Sequence, residues 1–362
     1  MKIILAIDSF KGCLTSAEAE SAAADAIAEV LPGAQVEQMA ATDGGDGMAE
    51  AFAAAVGGRL ERVAVHDAMM RRTDAHYAIA PDGTAIIEVA QACGLAQIAP
   101  EERNPMRATT YGVGELVASA VKRGCRRFVV GLGGSATSDA GVGMLRALVD
   151  CLSPHGTIDD VLASAMRDCR FTLACDVDNP LCGARGAAAV FGPQKGADAA
   201  MVAMLDSRAR RFAQFSARHF GHDCSDAPGA GAAGGLGYAF MQYFGAKAES
   251  GADLLLRLAH FDDALAGTSL VITGEGSADA QTLMGKFPQR VLAHSAAQGV
   301  PVWLLAGRVR DAGALAQAGF ARVECINAQG IAEAEALRPE VARANIAATV
   351  KRLIVMSKTM GS

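Results

Sequence analysis

Short apolar runs that end in polar, glycine-bearing loops, each followed by a helical pattern, recur along the chain. Residues 2–7 (KIILAI) lead into Asp8-Ser9-Phe10-Lys11-Gly12, and the spacing then predicts a helix from about Ser16 to Val30 with Thr15 or Ser16 as its cap. Residues 36–41 lead into Thr42-Asp43-Gly44-Gly45-Asp46-Gly47 and an alanine-rich helix. Residues 127–132 lead into Gly133-Gly134-Ser135-Ala136-Thr137-Ser138-Asp139, residues 269–272 into Thr273-Gly274-Glu275-Gly276, and residues 301–305 into Ala306-Gly307-Arg308. Near-continuous apolar strands alternating with helices predict a parallel, helix-covered α/β sheet. Two stretches differ. Residues 60–89 read as short antiparallel strands around a Pro81-Asp82-Gly83 turn, and residues 171–191 as two short strands around a loop at 176–186. The glycine-rich run 229–237 (GAGAAGGLG) is read as closely packed, not as a linker, because Tyr238 and Phe240 follow at once.

A chain of 362 residues is long for one core, so two domains are expected. The expected division is a parallel, Rossmann- or flavodoxin-like α/β domain from both chain ends (1–62 plus about 265–362), with a mixed α/β domain inserted at about 63–264. The active site is expected in the cleft between them. A net charge of −6 gives no sign of a nucleic-acid partner. The nine cysteines form no CxxC pair, which argues against structural zinc and for a reducing compartment. Lys2 leads directly into a strand-like run, so no signal peptide is expected, and no apolar stretch is long enough for a membrane span. The expectation is a cytoplasmic protein.

Ligands of parallel sheets bind outside the carboxyl ends of the strands, and the loops above leave such ends. They carry Asp8, Ser9, Lys11, Asp43, Asp46, Ser135, Thr137, Asp139 and Glu275. Glycine-flanked N–H groups suit phosphate, carboxylates suit magnesium, and lysines suit phosphate as point charges. Together these are the parts phosphoryl transfer needs. Each loop by itself also reads as an ordinary turn, and no Walker A string or GxSxG elbow is present. His219 and His222 read as a helix end before they read as a metal site.

The order of these strings resembles the bacterial glycerate kinases. Asp8-Ser9-Phe10-Lys11-Gly12, Asp43-Gly44-Gly45-Asp46-Gly47, Arg103-Asn104-Pro105, Thr109-Thr110-Tyr111-Gly112 and the 131–141 loop follow one another as in that family. So do Cys175-Asp176-Val177-Asp178-Asn179-Pro180, Phe191-Gly192-Pro193-Gln194-Lys195-Gly196, and Thr273-Gly274-Glu275-Gly276 through Asp279, Thr282 and Lys286. Departures are Asp67-Ala68-Met69-Met70-Arg71-Arg72 in place of a Gly-Pro-Leu-Gly-like turn, a short segment between 148 and 171, and Ser277 where arginine is common. The resemblance implies transfer of the ATP γ-phosphoryl group to a hydroxyl of D-glycerate, with magnesium, giving 2-phosphoglycerate. A 3-phosphoglycerate product and another small hydroxy acid as acceptor stay open. A nucleotide-dependent oxidoreductase and a sugar-acid sensor are more distant alternatives. Asp176 is expected as the base, with Lys11 and Asn179 beside it. Asp8, Ser9, Arg71, Asp43 and Asp46 are expected to meet substrate. Gly133, Gly134, Ser135, Thr137, Lys195, Glu275, Asp279, Thr282 and Lys286 are expected to meet the nucleotide, with Asp176 and Glu275 on magnesium. A homodimer is one assembly compatible with this reading; no nucleic-acid or membrane partner is expected.

Overall fold

The computed structural model describes residues 1–10, 12–39, 41 and 47–360. Its strands, in chain order, are β1 (Lys2–Ile7), β2 (Gln35–Gln38), β3 (Arg59–His66), β4 (Arg72–Ile79), β5 (Thr84–Glu88), β6 (Arg127–Gly131), β7 (Arg170–Ala174), β8 (Lys247–Glu249), β9 (Thr268–Ala278), β10 (Val302–Val309) and β11 (Arg322–Cys325). They form two sheets in two compact units, Met1–Asp43 with Ala252–Ser362, and Gly44–Gly251. The mixed α/β class expected from the alternating pattern is what the structure shows.

The first unit holds a wholly parallel sheet in the order β11-β10-β9-β1-β2. β1 is buried on both faces, which is why its five apolar residues run without alternation. Ile3, Leu5 and Ile7 pack with Ala19, Ala23 and Ile27 of the helix Ser16–Val30 and with Ile346, Val350 and Leu353 of the helix Pro339–Met360. The first of those helices starts where expected: Thr15 and Glu18 make a reciprocal capping box. From β1 the chain steps one way to β2, and from β9 the other way to β10 and β11. The sheet therefore reverses direction between β1 and β9, the position at which open α/β sheets take ligands. One expectation is corrected here. Thr273-Gly274-Glu275-Gly276 does not leave the strand but lies inside β9, which runs on to Ala278 because β10 pairs with it as far as Val309.

The second unit holds the sheet β3-β4-β5-β6-β7-β8, antiparallel across β3, β4 and β5 and parallel from β5 to β8. The helix Met48–Val56 packs in this unit against β4 and β5, and β3 pairs with β4, whereas the sequence reading placed residues 1–62, and so that helix and the first half of β3, with the chain ends. The stretch Ala187–Phe191 is a short helix, not a strand; its alanines favour helix and Ala187 and Ala188 are buried beside the helix Ala199–Phe220. The glycine-rich run 229–237 is packed, as expected. Gly234 has φ +65°, and a Cβ there would lie 1.9 Å from the Thr137 carbonyl oxygen, so only glycine fits. Among the described residues no helix is long and apolar enough to cross a membrane.

Candidate active site

In the first unit the carboxyl ends of β1, β9 and β10 surround a pocket of about 520 Å³, directly over the point where the sheet reverses. Asp8, Ser9, Glu275 and Lys286 line it, with Phe10, Ile326, Ile331 and Leu337 supplying apolar wall. The pocket thus brings together two expected substrate residues and two expected nucleotide residues that lie more than two hundred positions apart in sequence. The Asp8 carboxylate accepts the Ser9 N–H at 2.7 Å, which fixes the turn after β1. Glu275 is 7% exposed. The Thr282 hydroxyl donates to one of its oxygens at 2.5 Å, and the Lys286 ammonium lies 3.4 Å from the other. Burial pushes the Glu275 carboxyl up, and Thr282 and Lys286 pull it back toward ionisation. Lys286 stands at the N-cap of the helix Phe287–Ala297 and keeps 38% of its side chain exposed, so its charge reaches the pocket.

Two further expected nucleotide residues serve this cluster from behind. Asp279 caps the short turn Ala280–Leu283 by accepting the Gln281 N–H at 2.8 Å. Thr282 is fully buried and relays, accepting from the Asp279 N–H and donating to Glu275. Asn327 and Arg308 also line the pocket, and sequence reasoning missed both. Asn327 donates to the Gly307 carbonyl at 2.8 Å and accepts from Asn345 at 2.9 Å, so its orientation is set.

In the second unit Gly133 and Gly134 are exposed in the turn after β6, while Ser135 and Thr137 are buried. Lys195 lies inside the unit. It is 3% exposed, and its ammonium donates to the Ser135 hydroxyl at 3.1 Å and the Thr137 carbonyl at 2.7 Å. It therefore braces the glycine turn from inside; it does not present a phosphate-binding charge to solvent. Burial pushes its pKa down to about 8. Asp139 is likewise spent internally. Its carboxylate accepts the Thr110 N–H and hydroxyl, both at 2.9 Å, and the N–H groups of Gly141 and Gly143, both at 3.1 Å. This ties together the starts of the helices Tyr111–Lys122 and Val142–Leu152.

The loop after β7 carries Asp176, which is exposed. Asn179 donates to the Arg185 carbonyl at 2.8 Å, and its own carbonyl accepts the Gly231 N–H at 2.8 Å, so this residue staples the loop. Asp178 pairs with Arg185 on the exposed side. Arg71 lies in the β3–β4 connection, held by Asp67 and Glu102. Lys11, Asp43 and Asp46 lie outside the described residues. His219 pairs with Asp159, and among the described residues no group of three or more His, Cys, Asp or Glu side chains could hold a metal ion. Glu275 holds Thr282 and Lys286 on its two oxygens.

A parallel sheet with a carboxylate–lysine pocket at its switch point, and a mixed sheet with a braced glycine turn, define an α/β protein with polar, glycine-bearing loops at its strand ends. The chain belongs to the glycerate kinase family, whose model matches residues 3–358. It is 40% identical over 338 residues to a glycerate kinase of Bacillus subtilis, covering 88% of each chain. It is 37% identical over 328 residues to a glycerate 2-kinase of Escherichia coli, covering 86% of each. Its fold matches a crystal structure from Salmonella typhimurium LT2, described as a glycerate kinase 2, with a TM-score of 0.85 and 35% identity over 100% of this chain and 99% of that one.

Proposed function

We propose that this protein transfers the γ-phosphoryl group of ATP to D-glycerate and that the product is 2-phospho-D-glycerate. Family membership over nearly the whole chain, with a relative named glycerate 2-kinase, is the observation that carries this reading. The site chemistry agrees with it. Phosphoryl transfer asks a protein for positioning and charge neutralisation more than for covalent chemistry. The exposed glycines Gly133 and Gly134, on a turn that Lys195 holds from behind, suit a phosphate. Lys286 supplies a point charge at the switch-point pocket. Asp176 takes the proton of the attacking hydroxyl, on a loop that Asn179 keeps in place. Magnesium relies on one or two carboxylates plus the nucleotide. Asp176 would provide such a carboxylate, and the metal would supply neutralisation of charge on the phosphates. Nine free thiols suit a reducing compartment, and we place the activity in the cytoplasm.

The test is D-glycerate-dependent ADP release in magnesium, with phosphorus NMR of the product. Proton coupling to the phosphate distinguishes the 2- from the 3-position. ADP release with a different hydroxy acid only would keep the chemistry and discard the substrate. Asp176→Asn should lower turnover by about three orders of magnitude or more while leaving the unfolding transition in place. Near wild-type turnover would remove Asp176 from the base role.

A further inference from the structure

We infer that Arg71, Arg103 and Arg107 form an anion subsite of the second unit, which takes the carboxylate of the hydroxy acid or the phosphates of the nucleotide. β3 and β5 both run antiparallel to β4, and β5, β6 and β7 run parallel. The turn after β3 therefore emerges at the same sheet edge as the Gly133–Gly134 turn after β6. In that turn the buried Asp67 carboxylate accepts the N–H groups of Met69 and Arg71, each at 2.8 Å, and the Arg71 Nε at 2.7 Å. Glu102 takes the Arg71 Nη1 at 3.1 Å. The guanidinium is held from two sides, in a fixed orientation.

The other two arginines come from a tight turn whose shape Asn104 sets. Its carbonyl accepts the N–H groups of Arg107 and Ala108 at 3.0 Å, and its side chain accepts that of Met106 at 3.0 Å. Arg103 and Arg107 flank this turn and line, with Arg71, one pocket of about 430 Å³. Arg103 uses only its Nε, toward the Ile98 carbonyl at 3.4 Å. Among the described residues neither Nη of Arg103 and no side-chain nitrogen of Arg107 has a hydrogen-bond or ion-pair partner. Two carboxylates, Glu101 and Glu102, face three guanidinium groups in this pocket, and Glu102 is already paired with Arg71. With Asp67 counted, three carboxylates stand against three guanidinium groups, but Asp67 and Glu102 are both spent on Arg71, which leaves Arg103 and Arg107 against Glu101 alone.

The arginine turn also touches the segment that carries the brace Lys195. A Cβ at Gly196 would lie 2.6 Å from the Arg103 carbonyl oxygen, so the arginine turn packs directly on the residue after Lys195. Unpaired guanidinium forks at such a place match the planar oxygens of a carboxylate or phosphate bidentately.

The proposal rests on the kinase reading only for which anion is bound. Arg103→Met and Arg107→Met should each raise one KM about tenfold, with kcat changed far less. Arg107→Lys, which keeps the charge and loses the fork, should fall between. A raised KM for D-glycerate with ATP unaffected assigns the subsite to the carboxylate, and a raised KM for ATP assigns it to phosphate. Both KM values within about twofold of wild type in the double variant would overturn the subsite. Calorimetry of D-glycerate and of pyrophosphate binding to the full chain decides the matter independently of turnover. Binding by wild type that the double variant loses supports the subsite; equal binding by both, or none by wild type, overturns it. Absence of any glycerate-dependent ADP release in wild type would instead sink the kinase reading and leave calorimetry to judge the arginines.

Discussion

Replacing Lys195 by Met removes a titrating group from the interior of the second unit. An exposed lysine ammonium titrates near 10.4, whereas burial brings Lys195 down to about 8. Between those values the unfolded chain binds more protons than the folded one, so stability rises with pH across the window. Below about pH 8 the fold carries the whole cost of the buried charge, about 3 kcal/mol at about 1.4 kcal/mol per unit. That cost fades as pH rises toward the unfolded value. Methionine cannot titrate, so the stability difference between wild type and Lys195→Met should move in favour of wild type by about 2 kcal/mol from about pH 7 to about pH 9.5. At low pH the variant gains from losing the charge but leaves the Ser135 hydroxyl and Thr137 carbonyl without their donor. The pH slope, not the offset at one pH, therefore carries the test. The molecule provides its own reporters. All four tyrosines, Tyr77, Tyr111, Tyr238 and Tyr243, belong to the second unit, and the single tryptophan, Trp303, belongs to the first. Burial pushes all four phenols up, so they keep their protons through this range. Urea unfolding followed by near-ultraviolet circular dichroism of tyrosine reads the affected unit, and tryptophan fluorescence serves as an internal control. A difference that stays flat within about 0.5 kcal/mol across that range would refute the reasoning.

Glu20 tests the opposite sign in the first unit. It is 3% exposed, accepts the Ile7 N–H at 3.1 Å, and burial pushes its pKa up to about 9. Its neutral form is favoured in the fold, so stability is greatest below about pH 4.5 and is lost as pH rises toward 9. Glu20→Gln should stabilise the first unit by on the order of 3 kcal/mol at about pH 8 and by little near pH 4, read from Trp303 fluorescence in urea. Asp139→Ala should destabilise the second unit by about 3 kcal/mol or more, because buried donors from Thr110, Gly141 and Gly143 lose their acceptor together. A loss under about 1 kcal/mol in the tyrosine transition would show that water replaces the carboxylate.

Local signals made part of this molecule legible. The unbroken apolar run of β1 announces burial on both faces, and Thr15 with Glu18 marks the start of the first helix. The packing of residues 229–237 followed from the large apolar side chains just after them. What stayed hidden depends on partners distant in sequence. β9 continues through Thr273–Ala278 only because β1 and β10 flank it, and nothing within TGEG says so. Lys195 sits between polar and glycine residues and reads as exposed; its burial arises because the β6 loop closes over it. Asp8, Ser9 and Glu275 were legible as strand-end candidates and Lys286 through the family resemblance, but their convergence on one pocket required the order of the sheet. Arg103 carried only a place in a motif, since the groups that give it a task lie in the β3–β4 connection.

The sheet order of the first unit bears on how the chain is made. β1 leaves the ribosome well before its neighbour β9, which begins on the order of 260 residues later. At a synthesis rate of about 5–20 residues per second, this interval is roughly a quarter of a minute to a minute. During it, six residues reading KIILAI have on one side only the four-residue β2 and on the other an open edge. Such a segment is a ready template for pairing with another nascent chain. The second unit, contiguous in sequence, is free to fold in the meantime. Nascent-chain chaperones should therefore engage this protein through β1 and release it only once β9 has been synthesised.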